Sequence, residues 1–322
     1  MARPSRGTII RVVLAGGLTA YLLYRSHPSQ VLEALAGVNW TWLAAAVALV
    51  LADRALMALR WIWLLSPIDP AKRPPFGALM RIFFVSTFIG TFLPMSIGSD
   101  AVRSWHLAEG GVPMSQAIAS VLMDRVLGIL SILIAAAVGL LFYPELAHGQ
   151  WVMTVFVIAG MATAGAISVV YSRRSARIAK RMVRITRVPA IITKFEKLVD
   201  ALLEYRNHHG PVTTVLVASV GVQFLRILQA WCLGLSLGLT VSFVSYVAFI
   251  PIILLLIMLP LTIAGLGVAQ GSFHWLFVTV GNQPPAPVFA LSVLFIALGV
   301  VGNLPGAFIF ATGDRSQTFL PR

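Results

Sequence analysis

Eight apolar runs, at 8–24, 40–65, 76–94, 114–143, 151–171, 211–238, 240–259 and 286–312, leave little room for a water-soluble core. A helix crosses the hydrocarbon layer of a bilayer in about 20 residues, and inside that layer only helices and closed barrels satisfy their own backbone polar groups. The length and continuity of the runs select helices. Of the 322 residues, 58% are hydrophobic and 11% charged, against roughly 45–50% and about 25% in an ordinary soluble domain. A soluble globular enzyme is excluded. The formal charge of +13 comes from 24 Lys and Arg against 11 Asp and Glu; with so little soluble surface to carry it, nucleic-acid binding is not expected. The single cysteine, Cys232, lies within an apolar run, which excludes an internal disulfide and a cysteine-based metal site.

Arg3, Arg6 and Arg11 ahead of an apolar stretch ending at Tyr24 resemble a signal peptide. No small-residue cleavage site follows, so this stretch is expected to be the first span. Trp40 and Trp42 at one end of the second run, and Trp61 and Trp63 at the other, are expected to be aromatic anchors at two membrane interfaces.

Basic residues orient the spans. Segment 173–209 carries ten (Arg173, Arg174, Arg177, Lys180, Arg181, Arg184, Arg187, Lys194, Lys197 and Arg206) against three acids, so it is expected to be cytoplasmic, as are Arg3, Arg6, Lys72 and Arg73. If each of the five runs before it were a simple crossing, those ten cations would lie outside. One crossing must therefore be cancelled. The place is 76–113, where an apolar arm is followed by a stretch too polar to cross lipid alone; entering from the cytoplasm and returning to it restores the parity. Such a re-entrant element is tolerated only when packed in protein or lining a water-filled cavity. A second broken element, 240–281, enters from the other side, and 286–312 returns the chain to a cytoplasmic tail with Arg315 and Arg322.

The two breaks resemble each other. Leu93-Pro94-Met95-Ser96-Ile97-Gly98 and Leu259-Pro260-Leu261-Thr262-Ile263-Ala264 match by identity or close type, with Val102 and Val268 in register. Proline removes a donor and glycine frees φ, so Pro94, Gly98, Pro260, Gly265 and Gly267 mark helix breaks that release backbone polar groups at membrane depth. Paired breaks of opposite entry point to an inverted-repeat transporter. The expected fold is thus an all-α polytopic membrane protein of about six full spans plus two broken, re-entrant hairpins in an inverted repeat.

Ionisable residues inside spans are expensive and tend to pair facing the bundle interior. Here they are Asp53, Arg54, Arg81, Asp100, Arg103, Asp124, Arg125 and Arg226. Arginine grips phosphate or carboxylate with a planar fork and keeps its charge when buried, so the excess of arginine suits an anionic headgroup. Asp100 and Arg103, three apart, are placed to pair within one turn, and Asp53-Arg54 and Asp124-Arg125 form two further acid-base couples. Ser120, Asp124 and Gly128 share a helix face, where Gly128 leaves room beside the carboxylate. The alternative role for these charges is to staple helices together, with Arg81 snorkelling to an interface. Histidines at 148, 208 and 209 have no partners at metal spacing, and no phosphate-binding glycine loop or nucleophile elbow occurs; neither a metal, a cofactor nor a catalytic residue is expected. In 173–209, Ile178, Met182 and Ile185, then Ile191, Phe195, Leu198 and Leu202, follow helical spacing between cations, the pattern of amphipathic helices on an anionic leaflet or of a basic connector that sets topology.

Over Pro94 to Arg103, Ser120 to Gly128 and Pro260 to Gly271 (PLTIAGLGVAQG), the chain resembles the flippase-like family named for the membrane domain of lysylphosphatidylglycerol synthase. The resemblance implies a membrane protein that handles lipids, with Asp100, Arg103, Asp124 and Arg125 at the family's polar positions. Two residues depart from the family pattern: Ser99 replaces a glycine before Asp100, and Ala269-Gln270 stands where an Arg-Glu pair is common. Aminoacyl transfer is not implied by these residues. The expected function is translocation of an anionic or phosphate-bearing lipid between leaflets of the cell membrane, with Arg54, Arg103, Arg125 and Arg226 as headgroup ligands beside Asp100 and Asp124. A lipid-modifying transferase and a small-solute transporter are the rivals. The partners expected are membrane lipids.

Overall fold

The computed structural model describes residues 17, 19–92, 97–258 and 267–312. Pro94, Pro260 and Gly265, at the centres of the two expected breaks, lie outside the described residues. The described elements are helical: α1 (Pro28–Ala36), α2 (Trp40–Trp63), α3 (Phe76–Phe92), α4 (Ile97–Glu109), α5 (Met114–Phe142), α6 (Gln150–Tyr171), α7 (Arg173–Val183), α8 (Pro189–Glu204), α9 (His209–Ser236), α10 (Phe243–Ile257), α11 (Val268–Phe273), α12 (Pro285–Val301) and α13 (Leu304–Thr312), with a π-helical turn over His274–Val280 and short 3-10 turns between several of them.

Five stretches are long and apolar enough to cross a membrane: α2, α5, α6, α9 and the run Pro285–Thr312 that comprises α12 and α13. They coincide with five of the six full spans expected from the sequence; most of the sixth, 8–24, lies outside the described residues. The protein is an all-α, multi-pass membrane protein. The two runs assigned to broken elements give the shorter apolar helices α3 and α10 instead.

The chain divides into two compact units. One comprises Met1–Asp53, Ile132–Phe156 and Val222–Gly302; the other comprises Arg54–Ser131, Val157–Gly221 and Asn303–Arg322.

In the first unit, α1 packs on α12, burying Leu22 and Val31 with Phe289 and Ala290. The π-helical turn returns along α10: Phe277 meets Tyr246 at 5.0 Å and Phe249 at 5.2 Å between ring centroids. Gly267 has φ of 81°, a conformation that suits glycine, and its N–H donates to the Gln270 side-chain oxygen at 2.6 Å. Gln270 therefore caps the start of α11 from its third position.

In the second unit, α3 and α4 form an antiparallel hairpin. Near the turn, a Cβ on Gly90 would lie 2.9 Å from Ser99 Cα, and at the open end Gly110 would meet Pro74 in the same way at 3.0 Å. With 17 and 13 residues, the arms run roughly 25 and 20 Å. On its other side α3 carries α13, where Asn303 donates to Thr91 Oγ1 at 2.8 Å. Two apolar clusters complete this unit: Trp61, Leu79, Phe83 and Leu107 in one, and Leu64, Met123, Tyr205 and Val215 in the other.

Candidate functional site

The second unit gathers its intramembrane charges from α2, α4 and α5. Asp100 stands in the first turn of α4, where the helix dipole favours an acid. Arg103, one turn on, is buried, as are Asp124 of α5 and Arg60 of α2. The charges pair across helices. The Arg125 guanidinium reaches Asp100 with two hydrogen bonds, from Nε to Oδ2 at 2.8 Å and from Nη2 to Oδ1 at 3.1 Å. Arg60 meets Asp124 at 2.7 Å, and Arg103 meets the other Asp124 oxygen at 3.6 Å.

This pairing differs from the one expected. Asp100 and Arg103 do not close on each other; they face two successive residues of α5 in the opposite order of sign, so an acid meets a base twice. Asp124 and Arg125 also separate, because neighbours on a helix point about 100° apart and do not share a partner. In the first unit the buried Asp53 carboxylate meets Arg226 Nε at 3.4 Å, while Arg54, in the second unit, donates to Met57 Sδ at 3.3 Å.

Sequence reading missed Arg60. The signal was present: Arg60 precedes five more apolar residues, Trp61 to Leu65, that carry the helix past it. Its guanidinium also donates to Ser219 Oγ of α9 at 3.0 Å, and Ser219 in turn donates to the Val215 carbonyl. The space expected beside Gly128 is taken by this side chain, since a Cβ there would lie 3.7 Å from Arg60 Nη2. Trp61 is also not an interfacial anchor. It is fully buried, and its Nε1 donates to Ser120 Oγ at 3.3 Å. Trp40, Trp42 and Trp63 are exposed from the protein, in keeping with a position facing lipid or interface.

Arg103 is the residue whose needs are least met. Its guanidinium carbon lies over Phe83 at 4.5 Å and Trp61 at 5.3 Å from the ring centroids, contacts that attract a cation. Its Nε is buried with no hydrogen-bond partner among the described residues. The carboxylate 3.6 Å away is held closer by Arg60. Three guanidinium groups thus share two carboxylates in this cluster. Arg125 and Asp100, with side chains 37% and 18% exposed, form its accessible edge.

The transmembrane-region model of lysylphosphatidylglycerol synthase matches residues 8–306. The chain belongs to that family. Among curated proteins it is 23% identical over 304 residues to a UPF0104 membrane protein of Methanothermobacter thermautotrophicus, covering 87% of this chain and 86% of that one. It is 22% identical over 304 residues to a UPF0104 membrane protein of Methanocaldococcus jannaschii, covering 90% and 89%. The family sets this chain in lipid-related work in a membrane.

Segment 173–209 is positioned from below by the second apolar cluster. Tyr205 is buried and its hydroxyl donates to the Leu64 carbonyl at 2.7 Å, one turn beyond Arg60; burial raises its pKa. Glu204 accepts a hydrogen bond from Gln116 Nε2 at 3.3 Å, and partial burial raises its pKa above 4.5, with Asp200 adding to the rise while Gln116 and His208 oppose it.

Proposed function

We propose that this protein translocates a phosphate-bearing lipid between leaflets, and that Arg103 is the principal ligand of the headgroup. The observation that carries the proposal is the state of Arg103: buried, stacked on Phe83 and Trp61, with an unpartnered Nε and a carboxylate beyond hydrogen-bond distance. A buried cation normally costs several kcal/mol unless it is fully paired. A phosphodiester supplies what is lacking, because it carries one negative charge and accepts two parallel N–H bonds from a guanidinium. Arg125 and Asp100, at the accessible edge, meet the headgroup first and exchange their mutual bonds for bonds to it. Arg60 and Trp61 hold the far wall. The acyl or isoprenoid chains stay in hydrocarbon throughout.

In this reading the α3–α4 hairpin is re-entrant from the cytoplasmic side, 173–209 and both termini face the cytoplasm, and the membrane is the cell membrane. The basic bias of 173–209 supports that orientation. A rival transferase needs a donor site and a reacting group; no feature of the Arg103 cluster favours one.

The test is lipid movement in vesicles reconstituted with purified protein, following a fluorescent anionic phospholipid made accessible to a quencher. Arg103→Gln should slow movement at least tenfold, the equivalent of one charge-assisted hydrogen bond lost, while Arg103→Lys retains part of it. Wild-type rates in Arg103→Gln, with the folded fraction matched, would remove Arg103 from the role.

A further inference from the structure

The amphipathic pattern of 173–209 resolves in the structure into two faces with different fates. Helices α7 and α8 fold back on each other as a hairpin closed by ion pairs from Lys180 to Asp200 and from Arg184 to Glu196. Toward its root the apolar positions are used by protein: Val199, Ala201 and Tyr205 are buried, and Leu198 and Leu202 pack on the same cluster. Toward its tip they are not. Met182 is 63% exposed and Ile185 78%, and Val188 and Ile191 are exposed with them.

The charges divide in the same way. All three acids of the segment are engaged: Glu196 and Asp200 in the two ion pairs, and Glu204 with Gln116. Of the ten cations, Lys180 and Arg184 are the two that meet them. Arg181, Arg187 and Lys194, around the tip, have no carboxylate partner among the described residues. Arg187 itself occupies the left-handed turn between the helices at φ of 54°, a position glycine fills at lower backbone cost. The tip therefore presents a bare aliphatic wedge inside a collar of unneutralised cations.

We propose that the α7–α8 hairpin is an anionic-lipid anchor that inserts its tip, Met182, Ile185, Val188 and Ile191, into a leaflet while the surrounding arginines bind lipid phosphates. An anionic leaflet supplies both the apolar depth that the wedge fits and the negative charge that the collar needs. This assignment is independent of the role of Arg103 and survives its failure.

The experiment uses the full chain with Ile185→Cys in a Cys232→Ala background, carrying an environment-sensitive fluorophore at position 185. The protein is reconstituted into vesicles of phosphatidylcholine alone or with phosphatidylglycerol added, and the label is quenched by lipids spin-labelled on their acyl chains. Strong quenching in the anionic vesicles and weak quenching in phosphatidylcholine is the expected result. Each collar cation reversed, in Arg181→Glu or Arg187→Glu, should weaken insertion by about fivefold or more. Both positions lie on the surface of the hairpin, so these variants leave its buried root untouched. A label that stays in water in both vesicles overturns the proposal, as does quenching that is equal in both, or protection that grows with protein concentration.

Discussion

Asp124 is the point where the buried cluster is most exposed to test. It faces Arg60 at 2.7 Å and Arg103 at 3.6 Å, and all three side chains are buried. At an effective dielectric near 20 these separations give roughly 6 and 5 kcal/mol of gross attraction, most of it offset by desolvation. Removing one partner leaves the others charged and buried, so Asp124→Asn should cost about 3–5 kcal/mol. By the usual scaling that is a fall in melting temperature on the order of 6–20 °C. Arg60→Met removes a buried cation and should cost less, and the double variant should be more stable than the sum of the singles by about 2 kcal/mol or more. Reversible unfolding in mixed detergent micelles, followed by tryptophan fluorescence, measures all four corners of the cycle. Additivity within about 0.5 kcal/mol would refute direct coupling between Asp124 and Arg60. Arg125→Gln is the control: that pair is partly exposed, and its loss should cost less than about 1 kcal/mol.

Two other perturbations probe the scaffold. Gly90→Ala forces a methyl group against Ser99 Cα and N at the turn of the α3–α4 hairpin, and should destabilise by about 1–3 kcal/mol in a thermal-shift measurement, whereas Gly160→Ala, with nothing within 4 Å, should not. Because the pKa of Glu204 is raised above 4.5 in the fold, the native state binds the proton more tightly than the unfolded chain, so this residue's contribution to stability is present at low pH and declines as pH rises through the interval above 4.5; Glu204→Gln should flatten that decline in melting curves recorded across the interval, and an unchanged slope would show the burial is not felt.

The long spans were legible because about 20 apolar residues in succession have few alternatives. The parity of the basic residues singled out 76–113 as the run to double back, and in the structure α3 and α4 pack side by side; the side from which they enter belongs to the proposal. Pairing inside the cluster was not legible. Chain neighbours such as Asp124 and Arg125 look like a couple in one dimension, yet Asp124 meets Arg60 and Arg103 while Arg125 meets Asp100. Arg60 was hidden by the tryptophans that flank it, which read as an interface until Trp61 proved buried. The apolar stripe of 173–209 is visible in the sequence, but sequence does not say which half of a stripe the rest of the protein will cover.

Arg60 also bears on the role proposed for Arg103. Two buried guanidinium groups lie within reach of the Asp124 carboxylate, and the shorter contact, 2.7 Å against 3.6 Å, belongs to Arg60, whose other amine is fixed by Ser219. With Asp124 so held, moving it onto Arg103 would break a buried ion pair to make another, with no net gain. The carboxylate thus lowers the cost of burying Arg103 through its charge without occupying its donors. Phe83 and Trp61 act in the same sense, since aromatic faces attract the cation and leave its N–H groups unspent. A fully satisfied arginine would have to lose bonds before gripping a headgroup, and an entirely uncompensated one would not stay buried; Arg103 lies between these limits, which is the condition for binding a phosphate and releasing it again.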